Sequence, residues 1–222
     1  VKIAELGEFG LIDHITKDFS TDKRVIKGIG DDAAVLSNDE DSTVISTDIL
    51  VEGIHFDLIY TPLKHLGYKS VVVNLSDIYA MNCIPVAITV SIALSNKFSL
   101  HAIEELYEGI NLACEKYNVN LVGGDTSSSV TGLMISVTAI GQSSKGSIVY
   151  RDGAKKTDLI CVSGNLGAAY LGLQILEREK VIFLNDNKIQ PDLKGFDYIL
   201  QRQLKPEARN DIIEILNEKK IK

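Results

Sequence analysis

The sequence predicts an α/β (α+β) protein, with a mixed sheet in its N-terminal part and a truncated α+β unit after it. Two observations lead to this fold class. Segments with strand and helix periodicity alternate up to about residue 142. Beyond a stretch rich in Gly, Ser and Lys at 141–153, one predicted strand is followed only by predicted helices, which makes a poor self-contained domain. We therefore predict an N-terminal domain over residues 1–144 and the start of a C-terminal domain over residues 145–222.

The first elements follow from local patterns. Apolar residues at helical spacing predict a helix over residues 5–19, and glycines beside an acidic pair predict a loop at 28–32. Two runs typical of strands, 33–36 and 43–49, flank a polar turn and predict a hairpin. Pro62 suits the first turn of a helix that would run from residue 63 towards residue 81.

The later elements are predicted in the same way. Residues 85–94 are apolar and β-branched, which favours a strand, and Ser99 is a suitable N-cap for a helix that continues to Tyr117. Further strands are predicted at 119–122, which ends at a Gly-Gly-Asp sequence, at 133–140 and at 159–163. The three predicted helices of the second part cover residues 168–179, 195–203 and 208–218.

Composition excludes several classes of function. The 222 residues carry a formal net charge of −7, which argues against nucleic acid as a partner because phosphate backbones favour basic surfaces. The longest apolar run, 85–94, is too short to span a bilayer. The sequence has three cysteines and no CxxC pair, so we expect reduced, buried thiols. With no secretory signal visible at the N-terminus, we expect a cytoplasmic protein with no membrane partner.

Aspartates recur beside glycines and at the ends of apolar elements. Asp31 and Asp32 follow a Gly-Ile-Gly turn, Asp48 ends a predicted strand, Asp77 lies late in a predicted helix, and Asp125 follows two glycines. Any one of them alone is explained as well by a turn or cap. Together they would repel unless a divalent cation lay between them, and Mg²⁺ prefers carboxylates combined with phosphate oxygens. The pattern predicts metal–polyphosphate chemistry, while the P-loop and protein-kinase motifs are both missing.

Four motifs resemble those of the thiamine-monophosphate kinase family, in the same order and at similar spacing. They are GIGDDAA at 28–34, STDILVEGIHF at 46–56, NLSDIYAM at 74–81 and GGDT at 123–126, with YRDGA at 150–154 and RQLKP at 202–206 as weaker matches. That family belongs to a wider group that includes aminoimidazole ribonucleotide synthetase. The resemblance implies a homodimer formed by N-terminal ATP- and metal-binding domains, with ATP held between the N- and C-terminal domains.

The resemblance also implies roles for individual residues. The implied ligands of several Mg²⁺ ions are Asp32, Ser46, Thr47, Asp48, Asp77 and Asp125. The implied contacts to ATP are Tyr107, Gly124, Asp125 and Arg151, and the implied contact to thiamine monophosphate is His55. No catalytic side chain is implied, because the metal ions would assist direct transfer. From the residues alone, Tyr107 could equally be a core residue, Arg151 part of a solvated loop and His55 an ordinary histidine.

The chain departs from the family pattern at two places. Asn82 stands where the family usually has Gly, which bears on the backbone conformation of that turn. The family's C-terminal Ile-Ser-Asp-Gly segment, which supplies another metal ligand, does not occur in the chain. The implied reaction is ATP-dependent phosphorylation of thiamine monophosphate to thiamine diphosphate. Two alternatives stay open: another ATP-using enzyme of the same superfamily, and a nucleotide- or metal-binding module without catalysis.

Overall fold

A computed structural model describes residues 3–38, 41–144 and 146–219. Six helices and six strands are present in these residues. In chain order they are α1 (Ile3–Thr16), β1 (Val25–Lys27), β2 (Ala34–Asn38), β3 (Asp41–Val51), α2 (Leu63–Ala80), β4 (Ile84–Leu94), α3 (Leu100–Tyr117), β5 (Asn120–Ser128), β6 (Met134–Ser144), α4 (Ala168–Asn185), α5 (Asp197–Leu204) and α6 (Asn210–Glu218).

The strands form one six-stranded mixed sheet in the order β1-β2-β3-β6-β4-β5. Only β4 and β5 run parallel, since α3 connects them as a crossover, and the other neighbours are antiparallel. The predicted hairpin is confirmed as β2 and β3, and the predicted turn between them includes residues 39 and 40, which lie outside the described residues. The mixed sheet that the sequence predicts is therefore present.

Helices α2 and α3 cross very closely over the sheet. A Cβ atom at Gly67 of α2 would lie 1.9 Å from the backbone oxygen of Leu106, and one at Gly109 of α3 would lie 1.9 Å from that of Lys64. Only glycine fits at this crossing, so the two backbones touch directly. The buried side chains of the hydrophobic core include Leu66, Val71, Leu75, Ile78, Leu106, Ile110, Val44, Ile88 and Ile135.

The turn after α2 shows how Asn82 is accommodated where the family usually has glycine. Asn82 has a φ of 57°, so it adopts the left-handed conformation that glycine takes easily and that asparagine tolerates better than most residues. Its side-chain amide donates to the backbone oxygen of Ser147 and to Oδ1 of Asn217, both at 2.9 Å. The asparagine therefore keeps the turn and also joins it to α6.

A shared carboxylate also joins the second part of the chain to the first. Glu207 accepts hydrogen bonds from the hydroxyls of Tyr68 and Tyr117, at 2.6 and 2.7 Å, and pairs with Lys116 at 2.6 Å. Ala208, next in the chain, is buried in the core formed by the sheet and α2. The boundary that we predict near residue 144 coincides with the end of β6 and remains a prediction.

Two sequence predictions for the second part need correction. Residues 159–163 are not a strand, and Leu159 is 89% exposed. A strand requires a hydrogen-bonding neighbour, and no described strand lies beside this segment. Cys161 within it is accordingly exposed, not buried, whereas Cys83 and Cys114 are buried free thiols as predicted. The three later helices are confirmed, and α4 extends to Asn185.

The N-terminal helix is less regular than its apolar spacing suggests. It ends at Thr16, short of the predicted residue 19, and Gly7 interrupts it with a φ of 66°. Every described side chain of α1 is at least partly exposed. Within residues 3–38, 41–144 and 146–219, none of the helices combines the length and apolar character needed to cross a membrane.

We expect Gly109→Ala to destabilise the fold by about 1–3 kcal/mol, because the added methyl group forces α2 and α3 apart. Thermal unfolding followed by circular dichroism measures the change. The matched control is Gly10→Ala in α1, where the new Cβ would meet Leu6 at an ordinary 3.5 Å and should stabilise by up to about 1 kcal/mol. Equal melting temperatures for Gly109→Ala and the unmodified chain would contradict the close crossing.

Candidate functional site

Three segments distant in sequence meet around the hydroxyl of Ser46 on β3. Its Oγ donates to Oδ2 of Asp77 at 2.8 Å and approaches the backbone oxygen of Asp32 at 3.1 Å. Asp77 lies in the last turn of α2, and Asp32 belongs to the loop between β1 and β2. Strand, helix and loop therefore bring Ser46, Asp77 and Asp32 together, as the sequence predicts.

The backbone of Asp48 is held beside Asp77 by a hydrogen bond to α2. Its N–H donates to Oδ1 of Asn74 at 2.9 Å, and the Asn74 amide donates to the backbone oxygen of Ser70, also at 2.9 Å. Asn74 is only 1% exposed. Sequence reasoning assigned Asn74 no role, although a buried amide one helical turn before Asp77 is a signal that could have found it. Asn74 fixes where β3 presents Asp48 to α2.

The electrostatics of this cluster favour a bound cation. Burial raises the pKa of Asp77 to about 6; the Ser46 hydrogen bond opposes that rise, the charges of Asp48 and Asp32 add to it, and Arg151 lowers it. Asp77 also sits at the carboxyl end of α2, where the helix dipole disfavours negative charge. A half-buried carboxylate with two acidic neighbours at a helix C-terminus is stabilised by a positive ion.

The donor set suits Mg²⁺ in particular. Carboxylates and a hydroxyl are hard oxygen ligands, and Mg²⁺ is usually held by one or two carboxylates while water and substrate phosphates complete its shell. Among the described residues, no group of three or more Asp, Glu, His or Cys side chains is arranged to hold a metal ion. Within the described part of the chain, Asp32, Asp48 and Asp77 thus lie near one another beside Ser46 without forming a ready-made metal site, and their role as Mg²⁺ ligands remains a prediction.

Arg151 lies against the β1–β2 loop. Its guanidinium forms an ion pair with Asp32, and its Nε is 3.8 Å from Oδ1 of Asp31. Lys27 approaches Asp31 from the end of β1, with its Nζ 3.5 Å from Oδ2. Sequence reasoning gave neither Lys27 nor Asp31 a separate role. Two cations therefore face the two carboxylates of this loop.

A second group of predicted residues lines a groove beside β5. The groove has a volume of about 500 Å³ and is bounded by Tyr107 of α3 and by residues 123–126 of β5. A Cβ at Gly124 would lie 1.8 Å from the backbone oxygen of Val90, so glycine is required there. The structure therefore brings Tyr107, Gly124 and Asp125 together at one surface.

Asp125 is not at the end of a strand, which corrects the sequence expectation. Strand β5 continues through the two glycines to Ser128. In the sheet, β6 and β4 separate β5 from β3, which corresponds to about 14 Å at the usual strand spacing. The structure thus places Asp125 well away from Asp48, in the groove and not in the carboxylate cluster.

Two further predicted residues lie outside both groups. Thr47 donates to the backbone oxygen of Val137 and accepts from the Thr138 hydroxyl, both at 3.1 Å. Because alternate residues of a strand point to opposite faces, Thr47 faces away from the side of β3 that carries Ser46. His55 is exposed in the turn after β3, where its Nδ1 accepts from the Val51 N–H at 3.0 Å.

Comparisons with known proteins find a matching family model and curated relatives. A family model described as AIR synthase related protein, N-terminal domain, matches residues 30–143. The chain is 36% identical over 205 residues to thiamine-monophosphate kinase of Bacillus subtilis, covering 92% of the chain and 61% of that protein. It is 35% identical over 215 residues to thiamine-monophosphate kinase of Aquifex aeolicus, covering 96% of the chain and 64% of that protein.

A similar solved structure is described as AaThiL complexed with AMPPCP and TMP. The TM-score is 0.84 at 33% identity, and the match covers 97% of this chain and 64% of that one. The chain thus spans about three fifths of the length of the curated relatives named above.

We expect Asp77→Asn to stabilise the metal-free protein at pH 7.5 and to have little effect near pH 4. The folded-state pKa of about 6 lies above the ordinary value of 3.8 for an aspartate. The stabilising contribution of protonated Asp77 is therefore fully present below about 3.8 and is lost as pH rises through 6. Melting temperatures in EDTA at the two pH values measure this. Added Mg²⁺ should raise the melting temperature of the unmodified protein but not that of the variant. Lower stability of the variant at pH 7.5 in EDTA would contradict the repulsive environment.

Proposed function

The chain belongs to the AIR synthase-related family, and from that premise we propose that it forms the nucleotide- and metal-binding part of a thiamine-monophosphate kinase. The proposed reaction transfers the γ-phosphoryl group of ATP to the phosphate of thiamine monophosphate, giving ADP and thiamine diphosphate. The observation that carries the proposal is the meeting of Asp32, Asp48 and Asp77 around Ser46. The similarity to thiamine-monophosphate kinases over most of the chain supports it.

The carboxylate cluster would hold Mg²⁺, which supplies positive charge to phosphate oxygens when it is bound. The residues of the chain prepare that place in three ways. Asn74 fixes the backbone of Asp48, Ser46 orients the carboxylate of Asp77, and burial keeps that carboxylate in a poorly hydrated position. Such a preorganised arrangement suits phosphoryl transfer, which depends mainly on positioning and charge stabilisation.

The β5 groove would receive the nucleoside end of ATP. Tyr107 offers an aromatic ring, and Gly124, where a side chain would meet the backbone oxygen of Val90, lines the same groove. The phosphates would then extend from the groove towards the cluster on β3, with Asp125 at the start of that path. With ATP in this position, Asp125 on β5 and Asp48 on β3, strands about 14 Å apart, could both contact one bound polyphosphate or its metal ions.

Arg151 is positioned to contact phosphate, because its guanidinium already lies at the cluster beside Asp32. A planar guanidinium binds phosphate oxygens with two parallel hydrogen bonds. The acceptor needs no general base, since a phosphate monoester has a second pKa near 6 and is already largely anionic at neutral pH, as for a phosphorylated side chain. We infer direct transfer between the two phosphates, without a phosphorylated enzyme.

The remaining assignments rest on the family resemblance. His55 would contact thiamine monophosphate, and Thr47 would be a further metal ligand only after leaving its hydrogen bonds to β6. Pairing of two N-terminal domains is supported by the sheet, where Ile49 on β3 and Val122 on β5 are 47% and 62% exposed. A cytoplasmic location remains a prediction.

We expect Asp48→Asn to lower the turnover of the full-length protein by about 100-fold or more, because it removes charge from the metal cluster. A coupled assay of ADP release, with and without thiamine monophosphate, measures this. Asp41→Asn, at the exposed start of the same strand, is the matched control and should retain activity.

Two outcomes would overturn the proposal. Unchanged turnover of a folded Asp48→Asn protein at limiting Mg²⁺ would exclude the metal cluster as the reaction centre. ADP release by the unmodified protein that does not respond to thiamine monophosphate would favour another ATP-using enzyme of the superfamily.

A further inference from the structure

The two consecutive aspartates of the β1–β2 loop have different surroundings. The side chain of Asp31 is fully enclosed, with 0% exposure, whereas that of Asp32 is 31% exposed. Gly30 precedes them with a φ of 111°, which side chains rarely adopt, so the loop turns sharply there. One carboxylate is thus turned into the protein and the other remains accessible to a ligand.

The enclosed Asp31 anchors the segment that carries Arg151. Lys27 lies 3.5 Å from Oδ2 of Asp31 and 3.4 Å from Oδ2 of Asp152, and its ammonium is 5.5 Å from the centre of the Tyr150 ring. These contacts join β1 to residues on both sides of Arg151. The backbone of residues 150–152 is therefore held near the loop independently of where the Arg151 guanidinium points.

The guanidinium of Arg151 is paired with the accessible carboxylate of Asp32. Arg151 pairs with Oδ1 of Asp32 while remaining 46% exposed. Asp32 is one of the three carboxylates proposed to hold Mg²⁺, so the guanidinium on its Oδ1 competes with a divalent cation for the negative charge of that carboxylate. Phosphate oxygens are strong alternative partners for a guanidinium, because they accept charge-assisted hydrogen bonds with matching geometry. Arg151 can therefore exchange one anion for another without leaving the site.

We propose that Arg151 is an exchangeable counter-cation that couples metal binding to nucleotide binding. Without nucleotide, its guanidinium neutralises Asp32 and weakens the affinity of the cluster for a divalent ion. When the phosphates of ATP arrive, the guanidinium transfers to them and Asp32 becomes free for the metal. Lys27 and Asp31 keep the segment in place during the exchange. This inference rests on the proposed function and adds a residue-specific coupling to it.

The two ligands should respond to loss of Arg151 in opposite directions. Removing the guanidinium frees Asp32, which strengthens binding of a divalent ion alone, and removes a phosphate contact, which weakens binding of nucleotide. If the ion pair between Arg151 and Asp32 were merely structural, its loss would disorder the loop. Binding of the divalent ion and binding of the nucleotide would then both become weaker. Opposite changes in the two binding affinities therefore distinguish the exchange from a structural ion pair.

The experiment compares Arg151→Gln with the unmodified full-length protein. Binding of Mn²⁺ without nucleotide is measured by electron paramagnetic resonance, and binding of β,γ-methylene ATP at saturating Mg²⁺ by calorimetry. We expect Arg151→Gln to bind Mn²⁺ about fivefold more tightly, as befits a partly exposed ion pair, and the nucleotide analogue about tenfold more weakly. Lys156→Gln, an exposed cation in the same segment, is the matched control and should change neither.

Arg151→Lys supplies a second test that keeps the charge. A lysine retains a positive charge near Asp32 but lacks the planar fork, so its Mn²⁺ affinity should lie between those of the glutamine variant and the unmodified protein. The inference is overturned by the following result: the unmodified protein binds both Mn²⁺ and the nucleotide analogue, and the folded Arg151→Gln protein binds Mn²⁺ no more tightly than the unmodified protein does. An unmodified protein that binds neither Mn²⁺ nor the nucleotide analogue would instead overturn the proposed function, and this inference with it.

Discussion

The glycine-mediated crossing of α2 and α3 is the constraint on which the rest of the structure depends. Because Gly67 and Gly109 place each backbone against the other helix, α2 and α3 are held close together in one relative arrangement. The buried side chains of α2 then pack over β3, β6 and β4, the strands that this helix contacts. Close packing of this kind transmits small shifts, since protein interiors contain few voids that could absorb them.

The position of α2 in turn determines the geometry of the carboxylate cluster. Asn74 and Asp77 are one turn apart near the end of this helix and contact β3 at Asp48 and Ser46, respectively. A rotation or slide of α2 would break both hydrogen bonds together. The cluster is therefore preorganised by the core, although its carboxylates repel one another, and the repulsion is what makes it receptive to a cation.

The second part of the chain contributes to the site through contacts with the first. Glu207 is bound by residues of both α2 and α3, and the Asn82 side chain joins the end of α2 to α6. Arg151 lies on the connection between the two parts and reaches back to the loop of Asp31 and Asp32. Arg151, which follows the sheet in sequence, thus balances part of the negative charge of the site, together with Lys27 of β1.

The sequence by itself determined the fold class, most elements and the motif aspartates, because alternating apolar patterns and Gly-Asp loops are local signals. Local reasoning was wrong for residues 159–163, since a strand depends on a neighbour that no local pattern specifies. Only the tertiary structure decided that Asp32, Asp48 and Asp77 meet, while Asp125 lies on β5, separated from β3 by β6 and β4. It alone also revealed Asn74 and the pairing of Arg151 with Asp32, because strand order and helix packing bring together residues far apart in sequence.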